Sequence, residues 1–376
     1  MRNRLAICIA AIGLAAHLVH GQALTTRLNP SSLTTANWRQ DSSAANAERT
    51  RWNLAHRLQG GWEYDSNIYE SSSRRAASGS ARFLLSTRGD RRASRWHILY
   101  NYAAALQTYP GYGNENKLSH DLQGKAGAAV NSWLHLSAKA GATLKFYLEN
   151  AADYGATSGN VAASFFLPHN LVVELGGETG QLDYAATDLY DFTFKGGEVT
   201  LQRRLSTSGV IELMLNRRTL LYQRRAFEYN AAQGLLAKDI AQRDALTTLR
   251  AAMTLGRKIV TQVAVEAQVN RSNSFGYDFS RFRLSGLLGF RPARSWMLRA
   301  AGLLQNKHYR DDLARLNLRD LDTEREQSNF LVVDLSRDLS PEISLAARAA
   351  FYDNESIVPG KFYHKTLLFI GLEIRL

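Results

Sequence analysis

The chain has 376 residues, one cysteine, 45% hydrophobic residues, a mean hydropathy of −0.28 and a formal net charge of +12. A lone cysteine excludes a disulfide framework and a cysteine-built metal site. The low hydropathy excludes a polytopic helical membrane protein, and the basic residues are spread along the chain without the stripe that marks a nucleic-acid partner.

The N-terminus comes first in chain order. Arg2 and Arg4 precede an apolar run from Leu5 to Val19, and small residues at Gly21 and Ala23 follow. That is the layout of a cleaved secretory signal over residues 1–23. The run is shorter than the roughly 20 apolar residues that span a bilayer as a helix, which disfavours a membrane anchor. Cys8 lies inside this leader, too early for a lipidation site, and loss of Arg2 and Arg4 lowers the formal charge from +12 to +10. Residues 24–50 are polar and aperiodic, which predicts a flexible periplasmic extension, with a small plug as the alternative.

From Arg51 to Leu376 the dominant period is two, the mark of strands with unlike faces. Turn-forming residues occur at Gly89-Asp90-Arg91, Asn131-Ser132, Pro168-His169-Asn170, Ser206-Thr207-Ser208-Gly209, Gly256-Arg257-Lys258, Pro292-Ala293-Arg294 and Asp338-Leu339-Ser340-Pro341. Longer polar connections alternate with them near 65–79, 109–117, 149–159, 180–188, 222–241, 271–278, 306–326 and 353–361. Short and long connections in regular alternation predict an all-β fold over 51–376, a transmembrane antiparallel up-and-down β-barrel of about 16 strands within a range of roughly 14 to 18.

One parity of each strand is apolar. It carries Trp52, Leu54, Leu58, Trp62 and Tyr64, then Trp96, Ile98, Tyr100, Tyr102, Ala104 and Leu106. Later it carries Val263, Val265, Ala267 and Val269, and then Phe282, Leu284, Gly286, Leu288 and Phe290. This is the predicted lipid face, with aromatics near the ends as interfacial girdles. One segment breaks step: Phe192 and Phe194 lie on one parity, Val199 and Leu201 on the other, which predicts a β-bulge at Gly196-Gly197.

The opposite parity supplies the predicted pore lining: Arg57, Arg82, Lys125, Lys139, Lys145, Arg218, Arg250, Arg281, Arg283, Arg299 and Arg348, with the acids Glu63, Asp121, Glu174, Glu178, Glu212, Glu266, Asp334 and Glu373. Eleven cations against eight anions predict a mild preference for anions if the lumen is water-filled. Cross-strand pairing into a neutral wall is the competing expectation. Lys307 to Gln327 forms a charged stretch, read as a solvated outer loop, with a lid or an inward constriction as the alternative.

The dispersed histidines have no metal-ligand spacing, and no nucleophile elbow, zinc helix or phosphate loop is present, so neither enzyme, cofactor nor metal site is predicted. Asp65 and Asn67 fit a turn at least as well as a calcium loop.

The last strand, with Leu368, Ile370, Leu372, Ile374 and Leu376 alternating against Leu367, Phe369, Gly371, Glu373 and Arg375, resembles the C-terminal strand by which the barrel assembly machinery recognises its clients, with Leu in place of the usual terminal aromatic. The pattern over 51–376 resembles porin-like outer-membrane barrels. The opening segment, Gly60-Gly61-Trp62-Glu63-Tyr64-Asp65-Ser66-Asn67-Ile68-Tyr69, resembles the first hairpin of uncharacterised and export-associated barrels.

These resemblances imply an outer-membrane channel for passive diffusion of small hydrophilic solutes. The alternatives are an export or assembly barrel for a polysaccharide or surface protein, and a closed structural or adhesive barrel. The implied partners are outer-membrane lipids and lipopolysaccharide, the assembly machinery, and either a second copy of the chain or a periplasmic export protein, with no nucleic acid.

Overall fold

In the computed structural model, residues 52–70, 74–148, 153–186, 188–206, 208–311, 329–354 and 363–376 are described. The leader, the 24–50 extension and most of the 307–327 stretch lie outside them. The strands are β1 (Asn53–Asp65), β2 (Ser78–Arg92), β3 (Trp96–Thr108), β4 (Lys117–Ala129), β5 (Leu134–Tyr147), β6 (Tyr154–Leu167), β7 (Leu171–Tyr184) and β8 (Phe192–Ser206). They continue as β9 (Gly209–Asn230), β10 (Gly234–Gly256), β11 (Ile259–Ser272), β12 (Phe279–Phe290), β13 (Trp296–Tyr309), β14 (Asn329–Asp338), β15 (Ile343–Asn354) and β16 (Tyr363–Arg375).

All sixteen are antiparallel to their sequence neighbours, and β1 pairs with β16 to close the barrel. The register at this seam runs unbroken from Arg57 opposite Arg375 to Asp65 opposite Leu367. The main chain of His56 extends it by exchanging hydrogen bonds with Leu376 at 3.0 and 3.2 Å. Gly61 and Gly371 face each other here: a Cβ on Gly61 would lie 2.2 Å from the Ile370 carbonyl, and one on Gly371 would lie 2.3 Å from that of Gly60. Two glycines thus let the ends of the sheet meet beneath the Phe369 ring.

The apolar parity faces outward. Trp62, Phe83, Leu136, Leu175, Leu213, Val265, Phe282, Leu304 and Ile370 are all exposed, which a water-soluble protein would not sustain as one continuous surface. Trp52, just before β1, and Trp62 within it stand ten residues apart, about 34 Å of extended chain. A tilt of about 40° reduces this to roughly 26 Å, the height of an outer-membrane apolar belt.

The predicted turns hold with one displacement: β2 runs through Gly89-Asp90-Arg91 to Arg92, and its turn comes at residues 93–95. The connection placed at 222–241 is instead mostly strand, because β9 and β10 extend as a long hairpin turning at residues 231–233 and closed by Gly234, with φ +80°, at the start of β10.

The predicted bulge is absent. Gly177 pairs with Gly197, and Gly196 with Arg218, in an uninterrupted ladder. Register shifts occur instead in β10 between Ala237 and Arg243. Phe192 and Phe194 point inward, and the reason is where the lipid ends. Above Leu175, Val199 and Leu215, the outward positions of β7–β9 become Thr179, Gln181, Asp183, Thr193, Lys195 and Arg217, all exposed. Apolar side chains on these extensions gain nothing outside and turn indoors, where Ala156, Leu182, Phe192, Phe194, Leu220 and Tyr222 pack together. A change of solvent, with no change of register, breaks the pattern.

This boundary is testable by substitution. Leu213→Arg, within the belt, should destabilise the barrel by about 2–4 kcal/mol in lipid vesicles, and Thr193→Arg, above it, by about 0–1 kcal/mol. Urea unfolding of the refolded protein measures both.

Candidate channel lumen

The inner wall is built from the other parity, and all eleven sequence-predicted cations lie on it. Seven meet a carboxylate one or two strands away. Four of these pairs are Arg57–Glu373 at 3.3 Å, Arg82–Glu63 at 2.7 Å, Lys139–Glu174 at 3.9 Å and Arg218–Glu178 at 2.5 Å. The other three are Arg250–Glu212 at 2.5 Å, Arg283–Glu266 at 3.0 Å and Arg348–Asp334 at 2.6 Å. Pairing therefore accounts for most of the wall. A tilted antiparallel sheet places residues of one parity on adjacent strands about 5 Å apart, within reach of long charged side chains.

The other four predicted cations have neighbours of other kinds. Lys125 stands directly opposite Lys139 in the β4–β5 ladder. Lys145 lies over the rings of Tyr147 and Tyr154 at 4.8 and 5.8 Å. Arg281 donates from Nε to the Gln268 side-chain oxygen at 2.8 Å. Arg299 is exposed within the lumen. The remaining predicted acid, Asp121, accepts from Thr143 Oγ1 at 2.8 Å and Gln123 Nε2 at 3.0 Å.

The structure also brings together groups that parity alone did not single out. After β1 the chain turns into the barrel, burying Asn67 and Ile68 against the inner wall. Asp65 is 0% exposed and Lys365, from β16, is 4% exposed. Lys365 Nζ lies 2.9 Å from Asp65 Oδ2 and 3.0 Å from Glu70 Oε1. The Tyr109 hydroxyl donates to Asp65 Oδ2 at 2.9 Å. Burial, ahead of the opposing field of Lys365, pushes this hydroxyl up from its ordinary range, so it stays protonated and donates. Asp65 Oδ1 accepts the Asn67 amide at 2.9 Å, which is the turn role expected of this pair.

Next to this latch, Glu63 accepts from Arg82 and, through Oε1, from Gln107 at 2.7 Å, and Gln107 also donates to Ser80 Oγ at 3.1 Å. The signal for the latch was present in the sequence, since Asp65 and Lys365 both sit on the inward parity of the terminal strands. Only closure of the sheet, however, makes residues 300 apart into neighbours.

Aromatic side chains lie inside the barrel at the end that carries the longer connections. Tyr154 and Tyr184 lie 5.6 Å apart, Phe192 and Tyr222 5.2 Å, and Phe279 and Tyr309 6.0 Å between ring centres. Cations rest on many of these rings. Lys307 Nζ is 4.1 Å from the Phe279 ring and 4.5 Å from that of Tyr309. Arg224 sits between Tyr222 and Tyr277 at 4.6 and 4.5 Å and donates from Nε to Gln242 at 2.8 Å. Among the described residues, no group of three or more His, Cys, Asp or Glu side chains converges as a metal site would.

The chain matches no protein-family model and no curated protein. Solved structures similar to it include a bacterial polysaccharide outer membrane secretin, at 8% identity and TM-score 0.43, over 86% of this chain and 98% of that one. Another is CdiB from Acinetobacter baumannii, at 10% identity and TM-score 0.46, over 86% of this chain and 60% of that one. A third is the toluene transporter TbuX from Ralstonia pickettii, at 9% identity and TM-score 0.36, over 89% and 91%. At these scores the likenesses stand beside the barrel geometry without adding to it.

Removing one partner of the latch tests its role. Lys365→Gln leaves Asp65 and Glu70 without their cation, a loss of about 3–5 kcal/mol for a buried pair. In an otherwise cysteine-free chain carrying Ile68→Cys, this substitution should accelerate maleimide labelling at position 68 by at least tenfold, because the turn leaves the wall. Equal labelling rates with and without it would show that other contacts hold the turn.

Proposed function

We propose that the protein is an outer-membrane channel through which small hydrophilic solutes diffuse passively, with a mild preference for anions. The observation that carries this is the inner wall: a closed sixteen-strand barrel whose lumen is lined with charged and polar side chains. A barrel of this strand number is too wide for side chains to fill, and charges held at such a wall require water beside them.

The preference for anions rests on what pairing leaves over. Seven cations are matched by seven carboxylates. Lys145 and Arg299 add positive charge to the wall with no ion pair to a carboxylate among the described residues. Fixed charge of one sign on a pore wall raises the local concentration of the opposite ion. The inward turn at residues 66–70 and the aromatic side chains narrow the entrance on one side. No reaction is assigned to the lumen, and export of a polymer remains the second reading of so wide a barrel.

Bilayer recording of the refolded protein tests this. The expected result is steady single-channel steps and a reversal potential, under a tenfold potassium chloride gradient, displaced toward the chloride equilibrium value. Arg299→Glu should move that potential toward the potassium side with little change in step size. Absence of steps would overturn the channel, and a potassium-side reversal in the unsubstituted protein would overturn the anion preference.

A further inference from the structure

Two lysines at the extracellular mouth stand apart from the paired wall. Lys117 opens β4 and Lys145 lies near the end of β5; Lys117 is opposite Tyr147, and Lys145 is opposite both Ser119 and Tyr154 in the two ladders it joins. Both share the inward parity of Asp121 and Thr143 and both are half-buried. Lys117 Nζ sits 5.8 Å from the Tyr109 ring centre, and Lys145 Nζ sits 4.8 and 5.8 Å from those of Tyr147 and Tyr154. Neither ammonium has a hydrogen bond or an ion pair with another described residue.

The surrounding carboxylates are engaged elsewhere. Asp65 and Glu70 hold Lys365, Asp121 is held by Thr143 and Gln123, and Asp153 accepts the Tyr147 amide at 2.8 Å. An aromatic face steadies an ammonium by about 0.5–2 kcal/mol but leaves its formal charge uncancelled. Two uncancelled charges on neighbouring strands, set among three tyrosines, form a place where an anion gains and a cation loses.

The tyrosines say more about the ligand than the charges do. Tyr147 and Tyr154, both half-buried, each present an aromatic face with a polar edge beside Lys145, which suits a ring carrying its own hydroxyls on the edge and C–H bonds on the face, while the buried Tyr109 backs Lys117. We infer that Lys117 and Lys145, with Tyr147 and Tyr154 beside them and the buried Tyr109 behind Lys117, form a binding station at the mouth for sugar rings that carry a carboxylate or a phosphate. This rests on the channel reading and narrows its solutes to acidic saccharides. The latch borders the station, since Tyr109 belongs to both, donating its hydroxyl to Asp65 while its ring faces Lys117.

Block of the chloride current tests the station, with glucuronate, glucose 6-phosphate, glucose and acetate added in turn from the extracellular side. Glucuronate or glucose 6-phosphate should interrupt the current at concentrations at least tenfold below those at which glucose (a ring without charge) or acetate (charge without a ring) does so. The acid that blocks identifies carboxylate or phosphate as the recognised group. The K117Q/K145Q double variant should raise the half-blocking concentration at least tenfold. The Y147L/Y154L variant should erase the difference between glucuronate and acetate while keeping the anion preference.

Equal block by all four solutes, or an unchanged half-blocking concentration in K117Q/K145Q, would overturn the inference even with the channel intact. Calorimetric titration of the detergent-solubilised protein separates the two readings. Heat from glucuronate or glucose 6-phosphate binding that disappears in K117Q/K145Q would uphold the station without any current, and its absence in the unsubstituted protein would overturn it.

Discussion

Hydrocarbon offers no partner to a backbone amide, so a sheet that enters it must leave no edge. In this chain the requirement is met at the β1–β16 seam, where Gly61 and Gly371 allow the first and last strands to approach and Leu376 reaches back to His56. The other features of the fold depend on that closure. It gives every strand one face toward lipid and one toward the lumen, and it brings Lys365 to Asp65 across nearly the whole length of the chain. It also fixes the height at which the outer surface passes from Leu215 to Arg217 and the inner surface from salt bridges to rings.

The lumen is organised in two levels. Through the depth of the belt its charges form cross-strand pairs such as Arg250–Glu212 and Arg283–Glu266, which keep the wall polar while cancelling most of its net charge. At the mouth the Lys365 latch is joined by cations lying on aromatic faces, as with Lys145 on Tyr147 and Lys307 on Phe279. Pairs of the first kind hold strands and wet the wall. Contacts of the second kind lay cations along aromatic faces at the entrance.

Much of this was legible in the sequence, because a barrel strand writes its two solvents into alternate residues. Trp62 against Glu63 and Phe282 against Arg283 declare outside and inside without any knowledge of their neighbours. Turn positions were readable for a similar reason, since Pro168-His169-Asn170 and Gly256-Arg257-Lys258 carry residues suited to sharp reversal. Phe192 and Phe194 misled because parity was read as if lipid covered the full strand. The extensions of β7–β9 pass beyond the belt, where apolar side chains turn inward while the ladder around Gly196 and Gly197 stays in register. Charge pairing was not legible, since Arg218 meets Glu178 two strands away and nothing in the spacing says so. The inward turn at Asn67 and Ile68 was hidden as well, because its partners Lys365 and Tyr109 become neighbours only after closure.

The most direct test of the central claim, a wet lumen enclosed by a wall whose other face is lipid, is thiol labelling along β12 in reconstituted vesicles. Single cysteines at positions 281, 282, 283 and 284, in place of Arg281, Phe282, Arg283 and Leu284, would be exposed to a charged, membrane-impermeant reagent. The account expects rapid labelling at 281 and 283 and protection at 282 and 284, which face the lipid. Labelling at 282 and 284 with protection at 281 and 283, or uniform labelling along the strand, would contradict it.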